Sequence, residues 1–269
     1  MSRFLGNLDD VKRLGCLITL LVSIGSLPGQ TSNSWENFKS LFPRKKIPLD
    51  LQHKFLRLEG EFDKQREEFE TRTARRLIKH QNFYLAEIRY DCVAGGNCEA
   101  LEVYTFDFEG NLISKLEIEK RLADCVFESK KDLTHKTEQT WYILETKIVR
   151  ECEDEPNQQI DLKLVEYDLS KEGVFSKQSE QTIESNRPYF DFSIGLKNRK
   201  ELEKLSKDEL AKIRNEIFAS YGYSFKSDKW KEYFRQFEWY QPFKGAVSED
   251  ELNFFERENL KLILNLEKQ

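Results

Sequence analysis

The sequence predicts an α+β protein: an N-terminal antiparallel β-rich domain with a preceding helix, followed by a small C-terminal three-helix module. Three observations support this prediction. Apolar residues alternate with a period of two from Phe83 onward, they recur with helical spacing after Ser206, and capping signals bound the helical stretches. The 269 residues are enough for two ordinary domains, and 39% hydrophobic residues with 20 phenylalanines are enough for a core.

The N-terminal segment, residues 1–29, has the features of a signal peptide. The pair Lys12-Arg13 gives a positive flank, and Leu14 to Leu27 is uncharged and mostly apolar. This length suits the hydrophobic region of a signal peptide and is short of the roughly 20 apolar residues of a spanning helix. Cleavage after Gly25 or Gly29 would give an exported protein, periplasmic or extracellular, with no transmembrane span. The alternative is that the segment is a buried element of a cytosolic protein.

The cysteine count agrees with export. Without Cys16 of the signal segment, four cysteines remain, namely Cys92, Cys98, Cys125 and Cys152. An even number in an exported chain indicates two disulfides, with three possible connectivities. Cys92 and Cys98 flank a turn-forming loop and pair easily, which leaves Cys125 to join Cys152. The alternative is four reduced, buried cysteines. No Cys-x-x-Cys motif or histidine pair accompanies them, so we expect no metal site.

The predicted β-rich domain spans residues 30–185 and begins with a helix. Leu51 to Leu77 carries an interrupted apolar stripe among many charges, which predicts a helix that packs one face on the sheet. Alternation from Phe83 predicts a first strand, and Leu101 to Phe108 with Leu112 to Ile118 predicts a hairpin. Further strands are predicted at Cys125–Glu128, Trp141–Val149, Ile160–Tyr167 and Val174–Ile183. Short connections without helices indicate an antiparallel meander.

The C-terminal module is predicted over residues 205–269, after a linker over residues 186–204. Its first helix starts with the capping box Ser206 to Glu209 and ends at Gly222, because glycine enters the left-handed conformation without a Cβ penalty. The second helix starts at Ser227 or Asp228 and has an almost wholly aromatic face, consisting of Trp230, Tyr233, Phe234 and Phe237. A second capping box, Ser248 to Glu251, predicts the start of the third helix.

A family resemblance begins in the first of these helices. Ile213 to Gly222, with the sequence IRNEIFASYG, resembles the core motif of the YARHG domain, and the resemblance covers about Leu205 to Leu266. Further elements that fit are Phe225, Tyr233-Phe234, Trp239 to Pro242, and the ending from Leu252 through Glu256 and Asn259 to Ile263. Phe218, Ser220 and Tyr221 stand where the family has tyrosine, arginine and histidine. The resemblance implies a small helical module in a bacterial extracellular protein, and it implies no particular activity.

Catalytic motifs are missing from the sequence. It contains no Gly-x-Ser-x-Gly elbow, no His-Glu-x-x-His, no phosphate-binding glycine loop and no EF-hand pattern, so we expect no cofactor and no catalytic residues. The three histidines, His53, His80 and His135, lie far apart and are expected to be surface or packing residues. The net charge of −5, with no strongly basic segment, argues against nucleic-acid binding.

The module supplies the candidate binding residues, which combine aromatic rings with two polar side chains. They are Arg214, Asn215, Tyr221, Tyr223, Trp239 and Tyr240. Rings that face solvent would form a stacking platform for sugars or peptides. The alternative is that Trp239 and Tyr240 are core residues that hold the second helix against the first. The small size of the module favours this alternative.

The function that these patterns favour is that of an exported bacterial cell-envelope protein, a non-catalytic binding or interaction module. Its expected partner is cell-wall glycan or an envelope protein. The alternative is an envelope hydrolase with a site assembled in the β domain, which requires a concave pocket with convergent polar groups. A third hypothesis is a cytosolic scaffold whose first thirty residues are structural.

Overall fold

The chain folds into an antiparallel sheet with helices packed against it, which confirms the predicted α+β class. The computed structural model describes residues 28–57, 70–92, 98–123, 127–149 and 159–269. Most of the predicted signal peptide, together with Cys125 and Cys152, lies outside the described residues. No helix in these five ranges is both long and apolar enough to cross a membrane.

Each strand of the sheet pairs with the next strand along the chain, in the order β1 to β8, as the meander prediction requires. The strands are β1 (Glu70–Lys79), β2 (Tyr84–Cys92), β3 (Cys98–Phe106), β4 (Leu112–Ala123), β5 (Phe127–Lys136), β6 (Thr140–Val149), β7 (Gln159–Leu169) and β8 (Phe175–Ile183). The β3–β4 turn forms because the Asp107 carboxylate accepts from the backbone N–H groups of Glu109 and Asn111, at 3.0 and 2.7 Å. Gly110 supplies the positive φ of 92° in the same turn.

The predicted helix over Leu51–Leu77 is wrong at its C-terminal end. Helix α1 spans Pro28–Lys39 and helix α2 spans Leu49–Leu56, whereas Glu70–Lys79 is strand β1. β1 pairs with β2 along its whole length, and on its other side Ile47 N donates to Arg72 O at 2.8 Å. Backbone pairing on both sides therefore overrides the helical spacing of its apolar residues.

Strand β5 is longer than predicted, because it extends from Phe127 to Lys136 instead of ending at Glu128. Its sequence, FESKKDLTHK, has few apolar residues, so alternation could not reveal it. Pairing with β6 holds it in the sheet, and Lys131 Nζ lies 3.0 Å from Glu145 Oε1 and 3.5 Å from Glu117 Oε1. Cross-strand ion pairs thus replace apolar contacts here.

Helices α1 and α2 cover one face of β1 to β3. Trp35 and Phe38 of α1 meet Phe55 of α2, with ring centroids 5.3 and 4.8 Å from the Phe55 ring, and both contact Phe106 of β3. The opposite face of these strands contributes Leu85 and Val103 to a second cluster with Leu116, Ile118, Trp141, Ile143 and Leu169. Thr105 Oγ1 of β3 donates to Gly173 O, between β7 and β8, at 2.5 Å, so strands that are not neighbours in the sheet approach each other.

The C-terminal module is helical. It contains α3 (Arg199–Leu202), α4 (Lys207–Ser220), α5 (Asp228–Arg235), α6 (Phe254–Glu267) and 3₁₀ turns at Phe190–Ser193 and Glu249–Glu251. The capping box at Ser206 is confirmed. The predicted start of the third helix at Ser248 is wrong: Asn253 caps α6, and Glu256 completes its capping box. The side chain of Leu252, just before this cap, is buried in the module core. Residues 186–204, predicted as a linker, contain the buried residues Phe192 and Ser193.

Candidate functional site

Tyr221 lies at the junction between the sheet and the helical module. Its hydroxyl donates to Glu256 Oε2 at 2.5 Å and accepts from Gln181 Nε2 of β8 at 2.7 Å. Asn253 Nδ2 donates to Gln181 Oε1 at 2.8 Å, so both polar atoms of the glutamine amide are bonded to the module. Burial, and then the Glu256 carboxylate, hold the pKa of Tyr221 well above its ordinary value. This candidate residue is therefore a bridging group between the two parts.

Buried charged side chains surround this bridge. Arg187 Nη2 donates to Ser193 Oγ at 2.8 Å, and Ser193 Oγ donates to Glu256 Oε1 at 2.6 Å. Glu216 Oε1 accepts from the backbone N–H of Tyr189 at 2.8 Å. Burial raises the pKa of Glu216 to about 7, although that N–H and the Arg187 charge oppose the rise. Glu216 Oε2 and Arg187 Nη1 are buried without a hydrogen-bond partner among the described residues.

The apolar part of the junction lies at the N-terminus of α6. Phe254 stacks on Tyr142 of β6 at 5.0 Å between ring centroids, and Phe255 meets the same ring edge-on at 5.3 Å. His135 of β5 stacks on Phe254, with ring centroids 5.0 Å apart. The module thus rests on β5 to β8 through aromatic rings beside the polar network.

Arg214 and Asn215 use their polar groups within the module. Arg214 Nε lies 3.0 Å from Glu267 Oε2, so this ion pair joins α4 to the end of α6. Asn215 is buried, and its Nδ2 donates to Ala211 O one turn earlier in α4 at 2.8 Å. Arg214 therefore joins two helices, whereas the Asn215 side chain bonds within its own helix.

Tyr223, Trp239 and Tyr240 come together in one aromatic cluster around α5. Tyr240 is 9% exposed, and its hydroxyl donates to Tyr223 O at 2.8 Å. Trp239 stacks on Phe237 with 5.5 Å between centroids. Phe225 lies beside Tyr240 in the same cluster, with 6.2 Å between their ring centroids. The structure therefore brings together three of the six candidate residues.

A groove with a volume of about 520 Å³ opens beside this cluster. It is lined by Ser224, Phe225, Asp228, Lys231, Glu232, Arg235, Tyr240 and Pro242. Its volume lies within the range of about 300–1,000 Å³ that is usual for small-molecule sites. Of these residues, only Tyr240 was a candidate from the sequence. The four charges of α5 fall at helical spacing on one face, a signal that is more typical of a solvated surface.

A second cavity, of about 430 Å³, lies on the sheet and is rich in charge. Six basic and three acidic side chains line it: Arg75, Arg89, Lys120, Arg121, Lys130, Lys131, Glu99, Glu119 and Asp132. Several of the cations are already paired, since Arg89 Nε lies 2.7 Å from Asp91 Oδ1 and Lys130 Nζ 2.8 Å from Asp132 Oδ2. Sequence reasoning missed this cavity because its residues come from five strands.

Comparison with known families identifies the C-terminal module. The YARHG family model matches residues 192–268. The module is a YARHG domain. Such domains are typical of extracellular and periplasmic proteins. Searches of curated proteins and of solved structures find no match for this chain.

The YARHG domain holds most of the site residues, but its junction network extends beyond the match. Glu216, Tyr221 and Glu256 lie inside the matched residues, whereas Gln181 and Arg187 precede them. The domain is therefore attached to the sheet by its own polar groups and by groups that the preceding chain supplies.

The predicted pairing of Cys92 with Cys98 is present and joins the ends of β2 and β3. The Cα atoms are 5.5 Å apart, which is within the usual range for a disulfide. Within the described ranges, no group of three or more His, Cys, Asp or Glu side chains is placed to hold a metal ion.

Proposed function

We propose that this chain is an exported bacterial cell-envelope protein that acts by binding, with the groove beside Tyr240 as its binding site. The observation that carries the proposal is the groove of about 520 Å³ on the YARHG domain, which has aromatic residues beside charged ones. A site of this kind buries the apolar part of a ligand and orients it through a few polar groups. The expected ligand is cell-wall glycan or part of an envelope protein.

Export is supported by two independent features. YARHG domains are typical of extracellular and periplasmic proteins, and a Cys92–Cys98 disulfide fits an oxidising compartment. The mass of the intact protein from its native host, before and after reduction and alkylation, tests export. Loss of the first 25 to 29 residues, with thiols labelled only after reduction, is expected. A full-length mass with thiols labelled at once contradicts export.

The candidate residues take two roles in this proposal. The Tyr240 ring contacts the ligand, while Tyr223 and Trp239 hold that ring in position. Tyr223 O accepts from the Tyr240 hydroxyl at 2.8 Å, and Trp239 lies against Tyr240 in the cluster. Arg214 joins α4 to α6, Asn215 bonds within α4, and Tyr221 attaches the domain to the sheet.

Blocking the groove tests the binding site. Ser224 lines the groove and is half-buried, so Ser224→Trp places an indole inside it. We expect the variant to lose sedimentation with isolated bacterial cell envelopes. Ser220→Trp is the matched control, since Ser220 is exposed at the end of α4 and does not line the groove. Equal sedimentation of both variants contradicts the proposed site.

The second candidate function, an envelope hydrolase, is favoured by the cavity on the sheet. That cavity has convergent charged groups, and the side chain of Glu119 makes no ion pair or hydrogen bond among the described residues. Release of reducing sugar from purified peptidoglycan, lost in Glu119→Gln, would establish hydrolysis. The binding proposal expects no release by the wild-type protein.

A further inference from the structure

The charges along the groove are of both signs, and only some of them are paired. Asp228 and Lys231 form an ion pair with 3.1 Å between Oδ1 and Nζ. Glu232 and Arg235 are exposed and line the groove, and the side chain of neither makes an ion pair or hydrogen bond within the part of the chain that the structure describes. The groove thus offers one carboxylate and one guanidinium to a ligand.

The spacing of these two groups limits the ligand. Glu232 and Arg235 are three residues apart on α5, which places their Cβ atoms about 5–6 Å from each other. Their side chains leave the same face of the helix, and an extended dipeptide is only about 7 Å long between its ends. Both ends of a short zwitterionic peptide can therefore reach the two charges, whereas the distant ends of a long chain cannot.

The lining beside the charges accepts an apolar side chain. Phe225 and Tyr240 are both buried below 10% exposure, and Pro242 continues the apolar lining. The Tyr240 hydroxyl already donates its proton to Tyr223 O, so Tyr240 offers a ligand no free hydrogen-bond donor. An uncharged glycan would leave both free charges unpaired, and a polyanion would meet Glu232 and Asp228.

We propose that the groove binds short peptides with a free ammonium and a free carboxylate, paired with Glu232 and Arg235, and with an apolar side chain on Phe225 and Tyr240. This inference rests on the proposed function, because it concerns the same groove and selects a peptide ligand over a cell-wall glycan. It assigns the specificity to charge pairing at two residues that the family resemblance did not point to.

Four versions of one dipeptide test the inference on the full chain. The probes are alanyl-phenylalanine, its N-acetyl form, its C-terminal amide and the doubly blocked form, titrated by calorimetry. We expect the free dipeptide to bind the wild-type protein about tenfold more tightly than either singly blocked form, because each block removes a charge-assisted contact.

Two variants assign the two contacts separately. Glu232→Gln is expected to abolish the preference for a free ammonium while keeping the preference for a free carboxylate, and Arg235→Gln is expected to do the reverse. Glu238→Gln is the control, because Glu238 is exposed and lies outside the groove lining. Since all three side chains are at the surface, the fold is not at risk.

The outcomes separate this inference from the proposed function. Equal affinity for all four peptides, no binding of any of them, or preferences unchanged in both variants overturns the peptide inference. If Ser224→Trp still abolishes sedimentation with cell envelopes, the groove remains a binding site for another ligand. If that variant sediments normally, the proposed function fails as well.

Discussion

Two helical parts cover the sheet, and they do so by different means. Helices α1 and α2 lie on β1 to β3 through aromatic rings, among them Trp35 and Phe38. The YARHG domain lies on β5 to β8 through Phe254 and Phe255 and also through a buried network around Tyr221 and Glu256. Apolar contacts are non-directional, whereas buried hydrogen bonds require one arrangement of their partners. The network therefore fixes how the YARHG domain is seated.

The difference has an energetic consequence. We call the contacts of α1 and α2 with β1 to β3 the apolar cover. Removing side-chain volume from it should lower the free energy of unfolding, and this loss should not depend on pH. At the YARHG junction, the free energy of unfolding should fall when a buried charge is removed, and it should depend on pH. The reason is that buried ionisable groups stabilise the fold only in one protonation state.

Phe38→Ala tests the apolar cover. Phe38 is fully buried between the rings of Trp35, Phe55 and Phe106, so its truncation should lower the free energy of unfolding by about 3–5 kcal/mol. Urea denaturation at pH 5 and at pH 8 should give the same loss. A loss of less than about 1 kcal/mol in the free energy of unfolding would show that the apolar cover is loosely packed.

Arg187→Met tests the charged part of the junction. The change removes the guanidinium that balances Glu216 and Glu256 and leaves their carboxylates buried, which should cost about 3 kcal/mol at pH 8. Unlike the loss in Phe38→Ala, this loss should shrink at pH 5, where Glu216 is protonated in the folded protein. Arg199→Met is the control, because Arg199 is exposed. An equal loss at both pH values would show that Arg187→Met acts through lost packing and not through lost charge.

Glu216 itself should give the junction a pH dependence. Its pKa in the folded protein is about 7, above its ordinary value, so between those values the folded state binds more protons than the unfolded state. Stability from this group is therefore present below its ordinary pKa and is lost as pH rises through about 7.

The matched variant is Glu216→Gln, which cannot titrate. Relative to this variant, the wild-type protein should lose about 2 kcal/mol of unfolding free energy between pH 5 and pH 8. Denaturation curves across that range measure the difference. Parallel pH profiles of the two proteins would place the pKa of Glu216 near its ordinary value.

Tyr221→Phe should have the smallest effect, about 1–2 kcal/mol, because it removes one hydroxyl and keeps the ring. The hydroxyl joins Gln181 to Glu256, so faster amide exchange should appear in β8 as well as in α6. Tyr240→Phe removes the corresponding hydroxyl inside the aromatic cluster and should leave exchange in β8 unchanged. Identical exchange profiles for both variants would mean that Tyr221 does not couple the two parts.

The elements predicted correctly from the sequence are those that depend on residues close together in the chain. The β3–β4 turn depends on Asp107 and Gly110, and the start of α4 depends on Ser206 and Glu209, three residues apart. The errors arise where distant pairing decides the outcome. Glu70–Lys79 is a strand because β2 pairs with it, and β5 is held by neighbours on both sides despite its charges.

Local patterns were enough to predict the α+β class, the meander, the YARHG domain and the Cys92–Cys98 pairing, because apolar period, helix caps and short spacings depend on residues close together in the chain. The junction and the groove could be located only in the folded protein. Tyr221 meets Gln181 across 40 residues, and the raised pKa of Glu216 follows from burial. Burial and long-range contact depend on how the elements pack, which no local pattern specifies.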